Sequence, residues 1–489
     1  MLPLEKEERG DETASSRNNT FISTQDKPMT DKPNSPEARD IAYHLHPYTN
    51  AKKHLEAGPL IIDRGEGVHV YDNNGKQYIE GMAGLWSVAL GFNEKRLVKA
   101  ATEQMEKLPY YHTFTHKSHG PVIELSEKLI GMAPVPMSKA FFTNSGSEAI
   151  DTALKLIWYR SNALGKPEKK KIIVRNRAYH GVTIAGACLT SLPANHKSFD
   201  LIVPNVLRMT APHHWREAMP GESEEEFATR LAKELEDTIL AEGPETIAAF
   251  FGEPVQGAGG VVVPPATYWE KVQAVLNKYD ILLVADEVIC GFGRTGTMFG
   301  STTYDIKPDI MVMSKQLSSS YLPASALMIN DRVFEPIMEE SGRIGTLGHG
   351  YTASGHPVVA AVALENLKII EERDLVGNAA RMGDRLRNGL AALADHPLVG
   401  EVRGVGLIAA VELVTDKANK TALETPGALG ALVNAHLQEA GLISRAMADA
   451  VAFCPPLIIS ESEVDDLLAR FKTGLDKALA ELPREAMPA

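Results

Sequence analysis

The sequence predicts an α/β fold, an open sheet of buried parallel strands followed by a smaller α+β lobe. Three apolar runs carry the first part. Ala248 to Glu253 and Ile281 to Glu287 end in carboxylates, and Met311 to Lys315 ends in an amine. A short apolar run with polar ends is the pattern of a strand covered on both faces. The C-terminal tips of such strands border the crevice where open α/β sheets bind ligands. Asp286 and Lys315 are therefore expected to face one crevice. At 489 residues the chain exceeds a single core, and two lobes are expected.

Composition bounds the function. Hydrophobic residues make up 44% and charged residues 23% of the chain, the ordinary balance of a globular enzyme. A formal net charge of −13 argues against general nucleic-acid or membrane-surface contact. No apolar run reaches the length of a membrane helix. Cys188, Cys290 and Cys454 are far apart, odd in number and without CxxC or zinc spacing. They indicate buried thiols in a reducing compartment, so the cytoplasm is the expected location.

Residues 1 to 40 are polar and carry too little apolar surface to offset the cost of ordering, so disorder is expected there. The early acidic residues Glu5, Glu7 and Glu8 argue against a signal or transit peptide. Folded structure should begin near Ile41, with a turn-rich entry, His44 to Asn50, that holds Tyr48. Gly67 to Glu80 reads as a hairpin around Asn73-Asn74-Gly75. Glu94 to Lys107 reads as a helix with Leu97, Val98, Ala101 and Met105 on its inner face. His112, His116 and His119 would share a face only on a helix, and Gly120-Pro121 follows at once. A loop or helix start is expected there, and no metal site. The run Lys169-Lys170-Lys171 reads as a solvated turn before the strand Ile172 to Arg175. Glu222 to Asp237 reads as an acidic surface helix, and His356 to Glu372 as a helix after a glycine-rich loop. From about Gly383 the pattern becomes α+β: a helix Arg385 to Ala394, strands near Val402 to Leu413, a helix Leu429 to Ala440, and a closing helix from Glu461.

Two further stretches bear on chemistry. Ala140 to Thr143 is a short strand, followed by Asn144-Ser145-Gly146-Ser147-Glu148 and a helix pattern. A strand, a small-residue turn and a helix N-terminus can cradle a phosphate through backbone N–H groups and the helix dipole. The same residues also suit plain helix capping. Gly257 to Gly260 looks like a dinucleotide loop, but Pro264 and Pro265 bar the helix such a loop must open. An amine and a carboxylate at neighbouring strand tips suit an aldehyde cofactor. The lysine can form a Schiff base with it, and the carboxylate can keep a pyridine nitrogen protonated.

With these motifs in place the chain resembles the class III ω-aminotransferases, pyridoxal-phosphate enzymes of fold type I. The resemblance runs from about His44 to the last helix. It rests on NSGSEA from Asn144, YHG from Tyr179, GEPVQGAGG from Gly252, LLVADEVICGFGRTG from Leu282, Ser314-Lys315, and SGHP from Ser354. HPYTN, GLWSV, YTASGHP and GLISRAM followed by PPLIIS are most similar to the (S)-selective amine:pyruvate branch. The resemblance implies a large domain, 86–345, with a mostly parallel seven-stranded sheet. It implies a smaller α+β domain, 346–489, with the segment 41–85 packed on it.

It also implies residue roles. Lys315 would be the Schiff-base lysine and Asp286 the partner of the pyridine nitrogen. Ser145, Gly146 and Ser147 would hold the phosphate, Tyr179 and Val288 would flank the ring, and His180 and Glu253 would support it. Thr352 would reach the phosphate of a neighbouring subunit, so a homodimer, or a tetramer, is implied. Tyr48, Trp86, Tyr179 and Tyr351 would wall the substrate, and Arg445 would bind the acceptor carboxylate. The reaction implied moves an amino group from a primary amine or ω-amino acid to a keto acid, pyruvate first among them. An aminomutase or racemase on the same fold is the enzymatic alternative. The chain departs from the family at Gln316, where glycine is usual, and a side chain there is expected to crowd the cofactor loop.

Overall fold

A computed structural model describes residues 34–203 and 205–483. The chain divides into a short unit ending at Asp63 and a large one from Arg64. In the short unit, helices Pro36–Tyr43 and Ala51–Ala57 are capped by the side chains of Ser35 and Asn50. The first helix starts before the expected boundary at Ile41, because Ser35 accepts the Ala38 N–H and Pro36 fits the first turn. The rest of the segment expected to be disordered, residues 1–33, lies outside the described residues.

The large unit is built on a seven-stranded sheet. Its order is Lys139–Thr143, Ser325–Ile329, Ile310–Met313, Leu282–Asp286, Ile247–Gly252, Lys171–Arg175, Val206–Met209. Only Ser325–Ile329 runs against its neighbours. Strand alternation feeds two cores. Leu282 and Val284 pack on the side of helix Gly146–Ala163, whereas Leu283 faces the side of helices Glu224–Glu242 and Tyr268–Lys278. Burial on both faces, at about 1.5–3 kcal/mol per large apolar side chain, is why these strands read as unbroken apolar runs.

The hairpin appears as His69–Asp72 against Gln77–Glu80, and Leu442–Ile443 joins it in parallel. A third sheet runs Val399–Val405, Ile408–Leu413, Ala450–Phe453, Arg445–Met447 and is antiparallel throughout. The final helix, Glu461–Glu481, opens on a capping box from Ser460 and Glu463.

Several local expectations are corrected. Helix Lys95–Lys107 buries Leu97 and Gln104, while Val98 and Met105 are about half exposed. The inner stripe follows 97, 101 and 104, so the polar Gln104 takes the inner place expected of Met105. Its amide donates to the Leu108 carbonyl. The lysine run is not a solvated turn. Lys169 is buried with its amine on the Asp280 carbonyl, and Lys171 pairs with Glu242. The helix expected from Arg385 spans Leu375–Ala391. Gly383 does not break it. A Cβ there would meet the Gly406 carbonyl oxygen at 2.0 Å, so the glycine permits close contact between the helix and the turn that joins two strands. Ala446 and Met447 pair with Val451 and Ala450 as strand.

Candidate active site

The strand tips converge as expected. Asp286 closes the central strand Leu282–Asp286, and Lys315 follows the neighbouring strand Ile310–Met313. With Glu253, past the tip of Ile247–Gly252, they line a cavity of about 190 Å³. Gly146, Ser147, Tyr179, His180 and Val288 complete the predicted part of its lining. Sequence reasoning missed Leu85, Ile150, Gly181, Ile289 and Ser314, which also line it. Leu85, Ile150, Gly181 and Ile289 carry no polar side chain to mark a site in advance, and the Ser314 hydroxyl donates to the Ala324 carbonyl at 2.8 Å.

Each polar group is held in place. The Asp286 carboxylate meets His180 Nδ1 at 2.7 Å and accepts the Val288 N–H at 3.1 Å. The imidazole is fully enclosed, and its Nδ1–H donating to Asp286 fixes tautomer and ring orientation together. Glu253 accepts the backbone N–H groups of Tyr179 at 3.2 Å and Gly257 at 3.0 Å. Burial pushes its pKa up to about 6. Lys315 has a left-handed backbone, φ 46°, which a non-glycine residue adopts at a cost of roughly 1–3 kcal/mol. Burial lowers the pKa of its amine, while Asp286 and Glu253 oppose that shift and Arg445 adds to it.

Ser145 caps helix Gly146–Ala163 by accepting the Glu148 N–H, and Ser147 Oγ accepts the Val182 N–H. The capping reading of this turn therefore has a structural counterpart. At Gly146 a Cβ would approach Val288 to 3.2 Å, so the chain comes within contact of the far wall.

The remaining predicted residues lie elsewhere. Trp86 is buried with φ 57°, and the Arg445 guanidinium lies 5.0 Å above its ring. Tyr351 reaches Thr152 Oγ1 and the Glu148 carbonyl, both at 3.3 Å, on the flank of the capped helix. Thr352 is exposed, and its carbonyl accepts the Tyr110 hydroxyl. Tyr48 stands in the short unit, on the turn between its two helices, with φ 51°. His119 caps helix Gly120–Met132, His112 accepts the Phe114 N–H, and no ligand grouping includes them among the described residues.

Gln316 corrects the expectation of crowding. It is completely buried and is absent from the cavity lining. Its amide donates to the Ile289 and Gly291 carbonyls at 3.1 and 2.8 Å, and its oxygen accepts from Arg294 at 3.3 Å. Arg294 in turn donates to the carbonyls of Leu407 and Pro455.

The residues present fit pyridoxal phosphate. One cavity offers an amine with a lowered pKa, a carboxylate fixed by an imidazole, an aromatic side chain and a helix N-terminus of opposite polarity to a phosphate. Comparison with known proteins agrees. The family Aminotransferase class-III matches residues 50–475. The mitochondrial gamma aminobutyrate transaminase 1 of Solanum lycopersicum is 50% identical over 88% of this chain and 84% of its own length. The ω-transaminase of Pseudomonas jessenii, solved in complex with PMP, superimposes with a TM-score of 0.90 at 64% identity. It covers 91% of this chain and 98% of that one. A transaminase solved with L-alanine gives a TM-score of 0.86 at 69% identity, over 87% of this chain and 100% of that one. The chain belongs to the class III aminotransferases, fold type I enzymes that use pyridoxal phosphate.

Proposed function

We propose that the chain transfers an amino group from a primary amine or ω-amino acid to pyruvate, in two half-reactions. The observation that carries this reading is the Arg445 guanidinium on the Trp86 ring, close enough for its charge to act on Lys315. A guanidinium offers a carboxylate two parallel donors, and an indole face keeps it oriented. The 69% identical transaminase solved with L-alanine, the aminated form of pyruvate, supports the choice of acceptor. The plant relatives named as gamma aminobutyrate transaminases favour an ω-amino acid among the donors.

Pyridoxal phosphate supplies the aldehyde that receives the amino group and a ring that takes up electron density. The chain's residues do the rest in this proposal. Asp286, fixed by His180, holds the proton on the ring nitrogen. Lys315 Nζ would take a proton from the substrate carbon and hold it for return, as general base and then acid. Its lowered pKa favours the neutral amine that this task needs. Ser145, Gly146, Ser147 and a neighbouring subunit's Thr352 hold the phosphate, Tyr179 and Val288 flank the ring, and Glu253 anchors the loop of Tyr179. Trp86, Tyr179 and Tyr351 shape the substrate space. The enzyme works as a cytoplasmic homodimer.

The test is a panel of amine donors with pyruvate, read as alanine formed, together with single-turnover kinetics of Arg445→Ala. Truncating one partner of a desolvated charge pair costs roughly 2–5 kcal/mol. At about 1.4 kcal/mol per decade, kcat/KM for pyruvate should fall ~30-fold or more. The half-reaction with an uncharged amine should fall much less. Equal losses in both halves would remove Arg445 from carboxylate binding. Turnover with other keto acids but none with pyruvate would refute the acceptor.

A further inference from the structure

The short unit gathers three imidazoles around one carboxylate. Asp40 Oδ2 lies 2.7 Å from His46 Nε2 and 3.0 Å from His54 Nε2, and Oδ1 lies 3.4 Å from His44 Nδ1. Ring centroids of His44 and His46, and of His46 and His54, are each 4.2 Å apart. The donor atoms of Asp40, His44 and His46 all lie within 4.8 Å of one another. We propose that Asp40, His44 and His46 bind a divalent first-row transition-metal ion, such as Zn²⁺, and that His54 holds the carboxylate in place.

The geometry suits such an ion. Ligand bonds of about 2.0–2.2 Å in a tetrahedral site place neighbouring donor atoms ~3.3 Å apart. The donor atoms of Asp40, His44 and His46 lie within 4.8 Å of one another, a modest side-chain adjustment from that spacing. His44 is 60% exposed, so its ring can adjust and the ion has an entry path. The donor set, two imidazoles and one carboxylate, is one that zinc and its neighbours favour, with water completing the shell. His54 is only 11% exposed and hydrogen-bonds the ligating carboxylate, the usual way a protein orients such a ligand. Coordination through Nε2 requires His46 to carry its proton on Nδ1.

The site also answers a need of the segment. Among the described residues of the short unit, helices Pro36–Tyr43 and Ala51–Ala57 have no buried residue. Small units without a core are commonly held by a metal or a disulfide. Here one ion would clip the first helix to the turn after it, and His54 would extend the clip to the second helix. A second such group among the described residues, His213 with Glu401 and Glu412, differs in kind. Arg403 and Arg216 already pair with its carboxylates, which leaves little negative charge for a cation.

The experiment uses tag-free, chelator-washed holoenzyme titrated with ZnCl₂ by calorimetry, and with Co²⁺ by visible absorption. One ion per chain is expected, with a rise in thermal midpoint on zinc addition. His44→Ala/His46→Ala should abolish that saturable uptake. His54→Ala should weaken it by about 10–100-fold. Melting without zinc and transamination rate report whether each variant is folded. Where the double variant fails to fold, His54→Ala decides alone. Absence of saturable zinc uptake by the parent protein, or uptake unchanged in a folded variant, overturns the proposal.

Discussion

Gln316 sits one residue from the lysine that carries the chemistry, yet its side chain turns away from the cavity. It links the loop Ile289–Gly291 to Arg294, and Asn366 donates to its carbonyl at 2.8 Å. Replacing it with glycine removes no clash. It leaves two carbonyls and a buried guanidinium short of partners, at about 1–3 kcal/mol for each buried group left unsatisfied. Gln316→Gly should therefore melt below the parent, and a midpoint at or above the parent's would contradict this role. Glu80 makes a different residue-scale prediction. It is 6% exposed, and burial raises its pKa to about 7. The native state then holds a proton that the unfolded chain releases near pH 4.5. The group thus costs stability increasingly as pH rises from about 4.5 to 7, and the cost stays constant above that range. Glu80→Gln stays neutral throughout. Its stability relative to the parent should grow between pH 5 and 8 by up to about 3 kcal/mol in denaturant melts. Parallel pH profiles would show that Glu80 does not titrate in this range.

At the scale of elements, helix Gly146–Ala163 joins packing to the site. Its buried face, with Ile150, Leu154 and Ile157, fixes its axis against the sheet, and Ser145 fixes where it starts. Ser145→Ala should cost about 0.5–2 kcal/mol through the lost cap, measured in chemical melts of the cofactor-free protein. No change there would mean that the Ser145 hydroxyl does not cap the helix. The strands leading to this crevice were legible because a short apolar run with charged ends suits a strand buried on both faces and little else. Asp286, Lys315 and Glu253 were legible as their tips. What escaped the sequence depends on tertiary contact. The His180–Asp286 bond joins residues 106 apart, and Gln104 takes an inner position through a local carbonyl. Gly383 reads as a break until the Gly406 backbone is seen against it. The group around Asp40 was equally hidden, since no ligand motif spans Asp40, His44, His46 and His54.

For the whole molecule the open question is whether one chain makes a complete site. In this chain Thr352 does not line the cavity, and its exposed position leaves it available to a second copy. Leu85, Val182 and Ile184 are each more than half exposed, and Leu85 lies on the cavity lining itself. Exposed apolar side chains around a polar site fit an interface better than a free surface. If Thr352 completes the phosphate site of a partner, two different defects can compensate. Lys315→Ala removes the proton carrier from its own site but keeps a normal Thr352. Thr352→Asp keeps its lysine but presents a carboxylate to the partner's phosphate. Each protein alone should be nearly inactive. After the two are unfolded, mixed in equal amounts and refolded with cofactor, half the dimers should be mixed under random pairing. Each mixed dimer holds one site with both residues intact, so about a quarter of the parent activity should return. Two controls frame the result: each variant refolded alone, and the pair combined without unfolding. Recovery only in the co-refolded sample places Thr352 in its partner's site. Activity no greater than the sum of the separate variants would mean that each chain builds its phosphate site from its own residues.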